Sequence, residues 1–198
     1  MLGLITSIQW LFLSILILFY AVYLIKMLAL KSKGIKGNLL GKGSKPKKAI
    51  IIETILKLIT LVGVVIQFAS VAFTDKIWSL PVTLPVQIVG VALGGIGLIF
   101  FVLSVATMKK NWRAGFDDKQ DTKLVTSGVY QISRNPAFVG FDLLYIGCAL
   151  AFPNIINVIA SIIAVGAFHF QILGEEMFLV KTFGKTYNDY KAKVRRYL

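Results

Sequence analysis

A short polar segment stands directly before a long apolar stretch and has the groups to bind an anion. The segment SRNPAFVGF, residues 133–141, places arginine, asparagine and proline ahead of apolar residues. Asn135 is a favourable helix N-cap, and Pro136 is a favourable first helical residue. A helix N-terminus presents free N–H groups and a partial positive charge, so it attracts a carboxylate. Arg134 adds a cation beside it.

A second polar group is the acid pair Glu175 and Glu176, which closely follows a long apolar run. Gln171 lies one helical turn before Glu175 on the same face. The carboxylates suit a ribose diol or an ammonium, and the aromatic faces of Tyr130 and Phe138 suit an adenine or a sulfonium. A ligand with a carboxylate, an ammonium, a diol and a purine matches this set. S-adenosylmethionine is such a ligand, and several nucleotides also fit.

The composition places both groups in a membrane protein. The chain has 198 residues, of which 57% are hydrophobic, and its mean hydropathy is +0.77. The hydrophobic residues lie in blocks of roughly 20 residues or more, which is the length that crosses a bilayer. The net charge of +13 suits lysine-rich loops facing anionic lipid better than nucleic acid. The single cysteine, Cys148, excludes an internal disulfide, and no residues stand at zinc-ligand spacing. We expect no bound metal.

The apolar blocks predict an all-α integral-membrane bundle of five transmembrane helices. The predicted spans are 2–30, 49–73, 86–108, 136–152 and 154–183. Pro153 and Asn154 form a turn signal inside an uncharged run, so the last two spans are expected to form a helical hairpin. The first span lacks a basic segment and a cleavage site, which favours a retained anchor over a signal peptide.

The loop charges predict the orientation of the bundle. The loop 31–48 holds seven lysines and no acid, the loop 109–135 and the C-terminal tail are also basic, and the two other loops are nearly neutral. By the positive-inside rule the N-terminus lies outside and the C-terminus in the cytoplasm. The hairpin then brings the SRNP segment close to the acid pair at the cytoplasmic end.

The whole chain, 1–198, is expected to form one membrane domain. Residues 1–108 supply three spans and the lysine-rich loop, and residues 109–198 supply a cofactor-binding loop, the hairpin and the tail. Apolar residues in the tail recur every three or four positions, which predicts one face of a helix that lies at the membrane surface or covers a site. These residues are Phe183, Tyr187, Tyr190, Val194 and Tyr197.

The other polar residues of the spans have structural interpretations. Glu53 and Lys57 are four residues apart, which predicts an ion pair. Asp142 requires a partner or a proton, and the sequence does not identify the partner. His169 has no second ligand at metal spacing and is expected to be a packing residue. Small residues spaced along the third span predict close helix packing; they are Gly90, Gly94, Gly95 and Gly97.

Two segments together resemble the C-terminal half of the isoprenylcysteine carboxyl methyltransferase family, which belongs with the phospholipid methyltransferases. They are LVTSGVYQISRNPAFVGF and EEMFLVKTFGKTYNDYKAKVRRYL, and the resemblance covers about residues 111–198, with Asn111 and Trp112 similar to an upstream family element. The positions that match the family pattern are Gly128, Tyr130, Arg134, Pro136, Gly140, Glu175, Glu176, Leu179, Phe183, Gly184, Tyr187 and Tyr190.

The resemblance implies a five-span bundle that binds S-adenosylmethionine in a pocket open to the cytoplasm, with a lipophilic acceptor entering from the bilayer. It implies catalytic roles for Arg134, Glu175 and Gln171. The cofactor contacts that it implies are Thr122, Lys123, Leu124, Val125, Tyr130, Asn135, Pro136, Ala137, Phe138, Glu175 and Glu176. The cytoplasmic membrane of a prokaryote is the expected location.

This chain departs from the family pattern at four positions. Asn135 and Thr122 replace histidines, Phe138 replaces a tyrosine, and Gln171 replaces an arginine implied in acceptor binding. Asparagine still caps a helix, so cofactor binding is expected to survive, whereas the loss of the arginine argues against a carboxylate acceptor. Carboxylate, thiol and amine acceptors stay open. The alternatives are an NADPH-dependent membrane reductase of the steroid or sterol type, which has a similar R-H-P-x-Y-x-G segment, and a non-catalytic cofactor-binding relative.

Overall fold

The chain folds as a bundle of α-helices. The computed structural model describes residues 2–74, 79–117 and 123–198, with side chains from residue 7 onward, and no β-strand occurs in these ranges. Short 3₁₀ turns lie at Lys109–Asn111 and Gly128–Gln131. The helices are α1 (Leu2–Lys31), α2 (Lys47–Ala72), α3 (Leu84–Met108), α4 (Pro136–Ala151), α5 (Ile155–Phe183) and α6 (Lys185–Lys193).

Four of these helices, α1, α2, α3 and α5, are long and apolar enough to cross a membrane. The chain is therefore an integral membrane protein. The predicted limits of all five apolar segments agree with the helices within two residues. The fourth segment forms only the 16-residue helix α4, which is about 24 Å long and shorter than an ordinary span. The count of five spans and the orientation stay predictions.

The helices α3 and α4 pack with their backbones in contact. A Cβ atom on Gly97 would lie 2.6 Å from the carbonyl oxygen of Gly140, and one on Gly147 would lie 2.5 Å from that of Gly90. These glycines therefore allow an approach that any side chain would prevent, and the predicted close packing is confirmed. Gly95 differs, because nothing lies within 4 Å of its Cβ position.

The chain reverses between α4 and α5 at the predicted turn. Asn154 caps α5, since its Oδ1 accepts a hydrogen bond of 2.8 Å from the backbone N–H of Asn157. Its Nδ2 donates to Ser70 Oγ at 2.9 Å and so fastens the turn to α2. The predicted hairpin is confirmed, and the start of α4 lies beside the end of α5.

The C-terminal tail does not form the single helix that its spacing predicts. The helix α5 ends at Gly184, whose φ of 52° lies in the left-handed region that favours glycine. A new helix, α6, follows, and residues 194–198 then run beyond it. Tyr187 is almost fully buried against the protein. The prediction of one continuous helical face from Phe183 to Tyr197 is wrong, because Gly184 redirects the chain.

Candidate active site

A cavity of about 480 Å³ lies where α4 begins and α5 ends, within the usual range for small-molecule sites. One end of the cavity is polar and is formed by the loops before α4, the end of α5 and α6. The other end is apolar and extends between α1, α2, α4 and α5. Its polar wall includes Asn111, Arg113, Asp117, Lys123, Tyr130, Asn135, Gln171, Glu175, Tyr187 and Tyr190.

The apolar end reaches the outer surface of the bundle. Leu24 of α1 and Leu61 of α2 line the cavity, and yet they are 58% and 64% exposed. Both side chains therefore belong to the cavity wall and to the surface that lipid covers. Phe138, Phe141 and Phe168 close the inner side of this end. The apolar end of the cavity therefore opens toward the lipid.

Most residues that the sequence singles out lie on this cavity. Pro136 stands behind the wall as the buried first residue of α4, Glu176 is directed into contacts with the tail, and Thr122 lies outside the described residues. The roles of all these residues stay predictions. Those that line the cavity are Lys123, Leu124, Val125, Tyr130, Arg134, Asn135, Ala137, Phe138, Gln171 and Glu175.

The N-terminus of α4 faces the cavity through its first turn. Asn135 precedes the helix as predicted, but its side chain makes no capping bond and Nδ2 instead donates to the carbonyl of Arg196 at 3.1 Å. The following residues, Ala137 and Phe138, line the cavity. Backbone N–H groups of a first turn have no partner within their own helix. This position suits an anionic group.

Arg134 and Glu176 contact each other directly. Arg134 Nη2 lies 2.6 Å from Glu176 Oε1, and Arg196 Nη2 lies 2.9 Å from Glu176 Oε2. Arg134 Nη1 also donates to the carbonyl of Val194 at 2.6 Å. The predicted proximity of Arg134 to the acid pair is confirmed, and the cofactor-binding role expected of Glu176 stays a prediction. Their salt bridge fastens the tail over the start of α4.

Glu175 lies on a different side of α5 and lines the cavity. It accepts a hydrogen bond of 3.0 Å from Gln171 Nε2, which also donates to Glu53 Oε1 at 3.3 Å. Glu53 is fully buried and pairs with Lys45 at 2.5 Å. The predicted ion pair between Glu53 and Lys57 is wrong, because the loop before α2 folds back and delivers Lys45. A buried acid in a span signals a nearby cation, but the sequence does not identify which one.

Three tyrosines surround the polar end. The hydroxyl of Tyr130 shares a hydrogen bond of 2.7 Å with Ser104 Oγ, and the hydroxyl of Tyr190 donates to the carbonyl of Tyr130 at 2.6 Å. The buried hydroxyl of Tyr187 has no hydrogen-bond partner among the described residues. Burial raises the pKa of Tyr187 and of Tyr190 to about 12, and raises the pKa of Tyr130 further. All three hydroxyls are protonated at neutral pH.

Two further polar residues of the hairpin, His169 and Asp142, differ in their surroundings. His169 Nδ1 and the hydroxyl of Tyr197 are 2.6 Å apart and their rings stack, which confirms His169 as a packing residue. Asp142 Oδ1 is buried, and no partner for it is found in the described ranges.

Comparison with known proteins identifies the family. Residues 85–186 match the family described as phospholipid methyltransferase. The chain is 31% identical over 114 residues to a probable protein-S-isoprenylcysteine O-methyltransferase of Oryza sativa subsp. indica, covering 55% of this chain and 59% of the relative. It is 40% identical over 73 residues to protein-S-isoprenylcysteine O-methyltransferase B of Arabidopsis thaliana, and this match covers 36% of this chain and 37% of the relative.

A third relative, the protein-S-isoprenylcysteine O-methyltransferase of Dictyostelium discoideum, is 35% identical over 79 residues, or 39% of this chain and 33% of the relative. The matches thus extend over no more than about three fifths of these curated relatives. The family match begins in α3 and includes the polar wall of the cavity from Asn111 to Glu175, and Tyr187 and Tyr190 lie just beyond the matched residues. The chain belongs to the phospholipid methyltransferase family.

Proposed function

We propose that this protein is a membrane methyltransferase that uses S-adenosylmethionine to methylate a small lipophilic or lipid-linked acceptor. The observation that carries the proposal is the cavity itself. Its polar end combines the first turn of α4 with Glu175, and its apolar end reaches the lipid-covered surface at Leu24 and Leu61. Such a cavity admits a water-soluble donor from one side and a lipophilic acceptor from the other. The names of the relatives support methyl transfer.

The residues of the polar end fit the donor by charge and shape. The N–H groups of the first turn of α4, at Ala137 and Phe138, would hold a carboxylate. Glu175 would accept hydrogen bonds from an ammonium or from ribose hydroxyls, and the ring of Tyr130 stands in the wall where a purine would pack. Bound S-adenosylmethionine supplies an activated methyl group. Arg134 would support this end indirectly, through the tail that it fastens.

The apolar end would hold and orient the acceptor. Leu56 and Phe168 line it and exclude water, which favours an in-line displacement because positioning and desolvation supply most of the assistance that such a reaction needs. A thiolate or an unprotonated amine is already nucleophilic. The thiol would lose its proton to water before the transfer and the methylated ammonium after it, while the sulfonium leaves as a neutral thioether, so neither acceptor requires a protein base. A carboxylate acceptor would find no arginine at position 171, where the Gln171 amide is already bonded to two carboxylates. We therefore propose a thiol or an amine ahead of a carboxylate.

We also propose that the site faces the cytoplasm of a prokaryotic cell, with the N-terminus outside. The lysines of the loop 31–48 support this orientation. A cysteine introduced at Ser44, which is exposed, tests it. In intact cells a membrane-impermeant maleimide should fail to label Ser44→Cys, and it should label this position after the cells are opened. Labelling in intact cells would reverse the orientation.

Calorimetry on the detergent-purified protein tests the function. Wild-type protein should bind S-adenosylmethionine and S-adenosylhomocysteine with micromolar Kd, and Glu175→Gln should weaken both by about tenfold, or about 1.4 kcal/mol. Lys48→Met, at the exposed start of α2, is the matched control and should bind like the wild type. Binding of NADPH alone would identify a reductase. Cofactor binding without turnover of any thiol, amine or lipid carboxylate would identify a non-catalytic relative.

A further inference from the structure

We infer that Lys45 and Glu53, which precede the region that matches the family, are positioning residues for Glu175. This inference rests on the proposed function, because it assigns them to the donor site. A continuous series of contacts connects them. Lys45 Nζ lies 2.5 Å from Glu53 Oε2, Glu53 Oε1 lies 3.3 Å from Gln171 Nε2, and the same Nε2 lies 3.0 Å from Glu175 Oε1.

Glu53 is the most constrained residue of this series of contacts. Its side chain is fully buried, and its carboxylate accepts hydrogen bonds from Lys45 Nζ, from the backbone N–H of Gly41 at 2.7 Å and from Gln171. A Cβ atom on Gly115 would lie 3.0 Å from Oε1, so the backbone also encloses this oxygen. A buried carboxylate with three donors has no alternative position of similar energy.

Lys45 is held as tightly as its partner. Its side chain is completely buried, its ammonium donates to the carbonyl of Leu39 at 3.0 Å, and it lies 4.8 Å from the centre of the Phe116 ring. Phe116 itself lines the cavity and stacks on Phe178 of α5. The loop before α2 is therefore built into the wall of the site and does more than connect two spans.

Gln171 transmits the position of Glu53 to Glu175. A glutamine amide has two N–H groups, and here one points to each carboxylate. Gln171 is 2% exposed, so its amide has little access to other partners. With both hydrogens engaged, the amide orients Glu175 toward the cavity that Glu175 lines. Gln171 is thus an uncharged hydrogen-bond donor between two carboxylates. The positive charge that compensates the carboxylate of Glu53 comes from Lys45.

A matched pair of double variants separates positioning from folding. Both replace Lys45 by methionine, so neither leaves a buried ammonium unpaired. Lys45→Met/Glu53→Gln keeps an oxygen that accepts from Gln171, whereas Lys45→Met/Glu53→Leu has none. We expect the first variant to bind S-adenosylhomocysteine within about threefold of the wild type and the second to bind about tenfold more weakly, with both variants folded at the temperature of the measurement.

Kinetics add a measurement that a purely structural role would not change. In the second double variant the KM for S-adenosylmethionine should rise about tenfold, while the KM for the acceptor stays unchanged. If this variant fails to fold, Gln171→Met serves instead, because it removes only the bridging amide and should give the same loss. Equal affinity in the two double variants, or wild-type affinity in Gln171→Met, would overturn this inference alone. A wild-type protein that binds no adenosyl ligand would overturn the proposed function as well.

Discussion

Replacing Glu176 by glutamine should destabilise the protein without removing a ligand contact. The Glu176 carboxylate bonds to Arg134, whose side chain is 7% exposed, and to Arg196, whose side chain is 32% exposed. Leaving one member of a buried pair without its partner costs about 3–5 kcal/mol, whereas an exposed pair contributes about 0–1 kcal/mol. We therefore expect a loss of about 3 kcal/mol, which comes almost entirely from the uncompensated Arg134 guanidinium.

The assay is the apparent unfolding temperature in detergent micelles. For a chain of this length a loss of about 3 kcal/mol lowers it by about 6–12 °C. Glu175→Gln is the matched control, since Glu175 is adjacent in sequence and makes no salt bridge to Arg134 or Arg196. It should unfold within about 3 °C of the wild type and lose donor affinity. Wild-type unfolding of Glu176→Gln would refute the assignment of Glu176 to the tail contact.

Other changes test the packing and the tyrosines. Gly147→Ala places a Cβ 2.5 Å from a backbone oxygen and should cost about 1–3 kcal/mol in the unfolding assay, while Gly95→Ala, which faces open space, should cost nothing measurable. Tyr190→Phe removes a donor to a carbonyl and should cost about 1 kcal/mol, whereas Tyr187→Phe removes a hydroxyl that has no partner among the described residues and should cost less. Burial raises the pKa of Tyr190 to about 12, above an unfolded value of about 10. The stabilisation that the protonated Tyr190 hydroxyl provides is complete below pH ~10 and is lost as the pH rises toward ~12. Between pH 9 and pH 11 the unfolding temperature of Tyr190→Phe should therefore fall less than that of the wild type.

The helices were predictable because their signals are local. Apolar blocks bounded by lysines, glycines and prolines set the limits, and Pro153 and Asn154 placed the hairpin turn. The proximity of the SRNP segment to the acid pair was predictable from the antiparallel hairpin alone. The family could be identified for the same reason, since its pattern lies in these two adjacent segments.

The finer arrangement of the site was not predictable, because it depends on contacts between residues far apart in sequence. Adjacent residues on a helix point about 100° apart, so Glu175 and Glu176 separate into a cavity residue and a tail contact. The partner of Glu53 depends on how the preceding loop folds, and spacing within α2 cannot reveal Lys45. The end of α5 at Gly184 likewise changes which residues the tail presents.

If the short helix α4 spans the membrane, we predict that the proposed activity depends on membrane thickness. A 16-residue helix extends about 24 Å, whereas the hydrocarbon core is about 30 Å thick. For α4 to span the membrane as the sequence predicts, the polar segment before Pro136 would have to lie about 6 Å inside the hydrocarbon core, or the lipid around it would have to thin. In thicker bilayers the entrance for the donor would sink while the lateral path for the acceptor stays open. We predict that lipids with longer acyl chains slow turnover because they restrict access of the donor to its site, which would make lipid composition a regulator of the proposed activity.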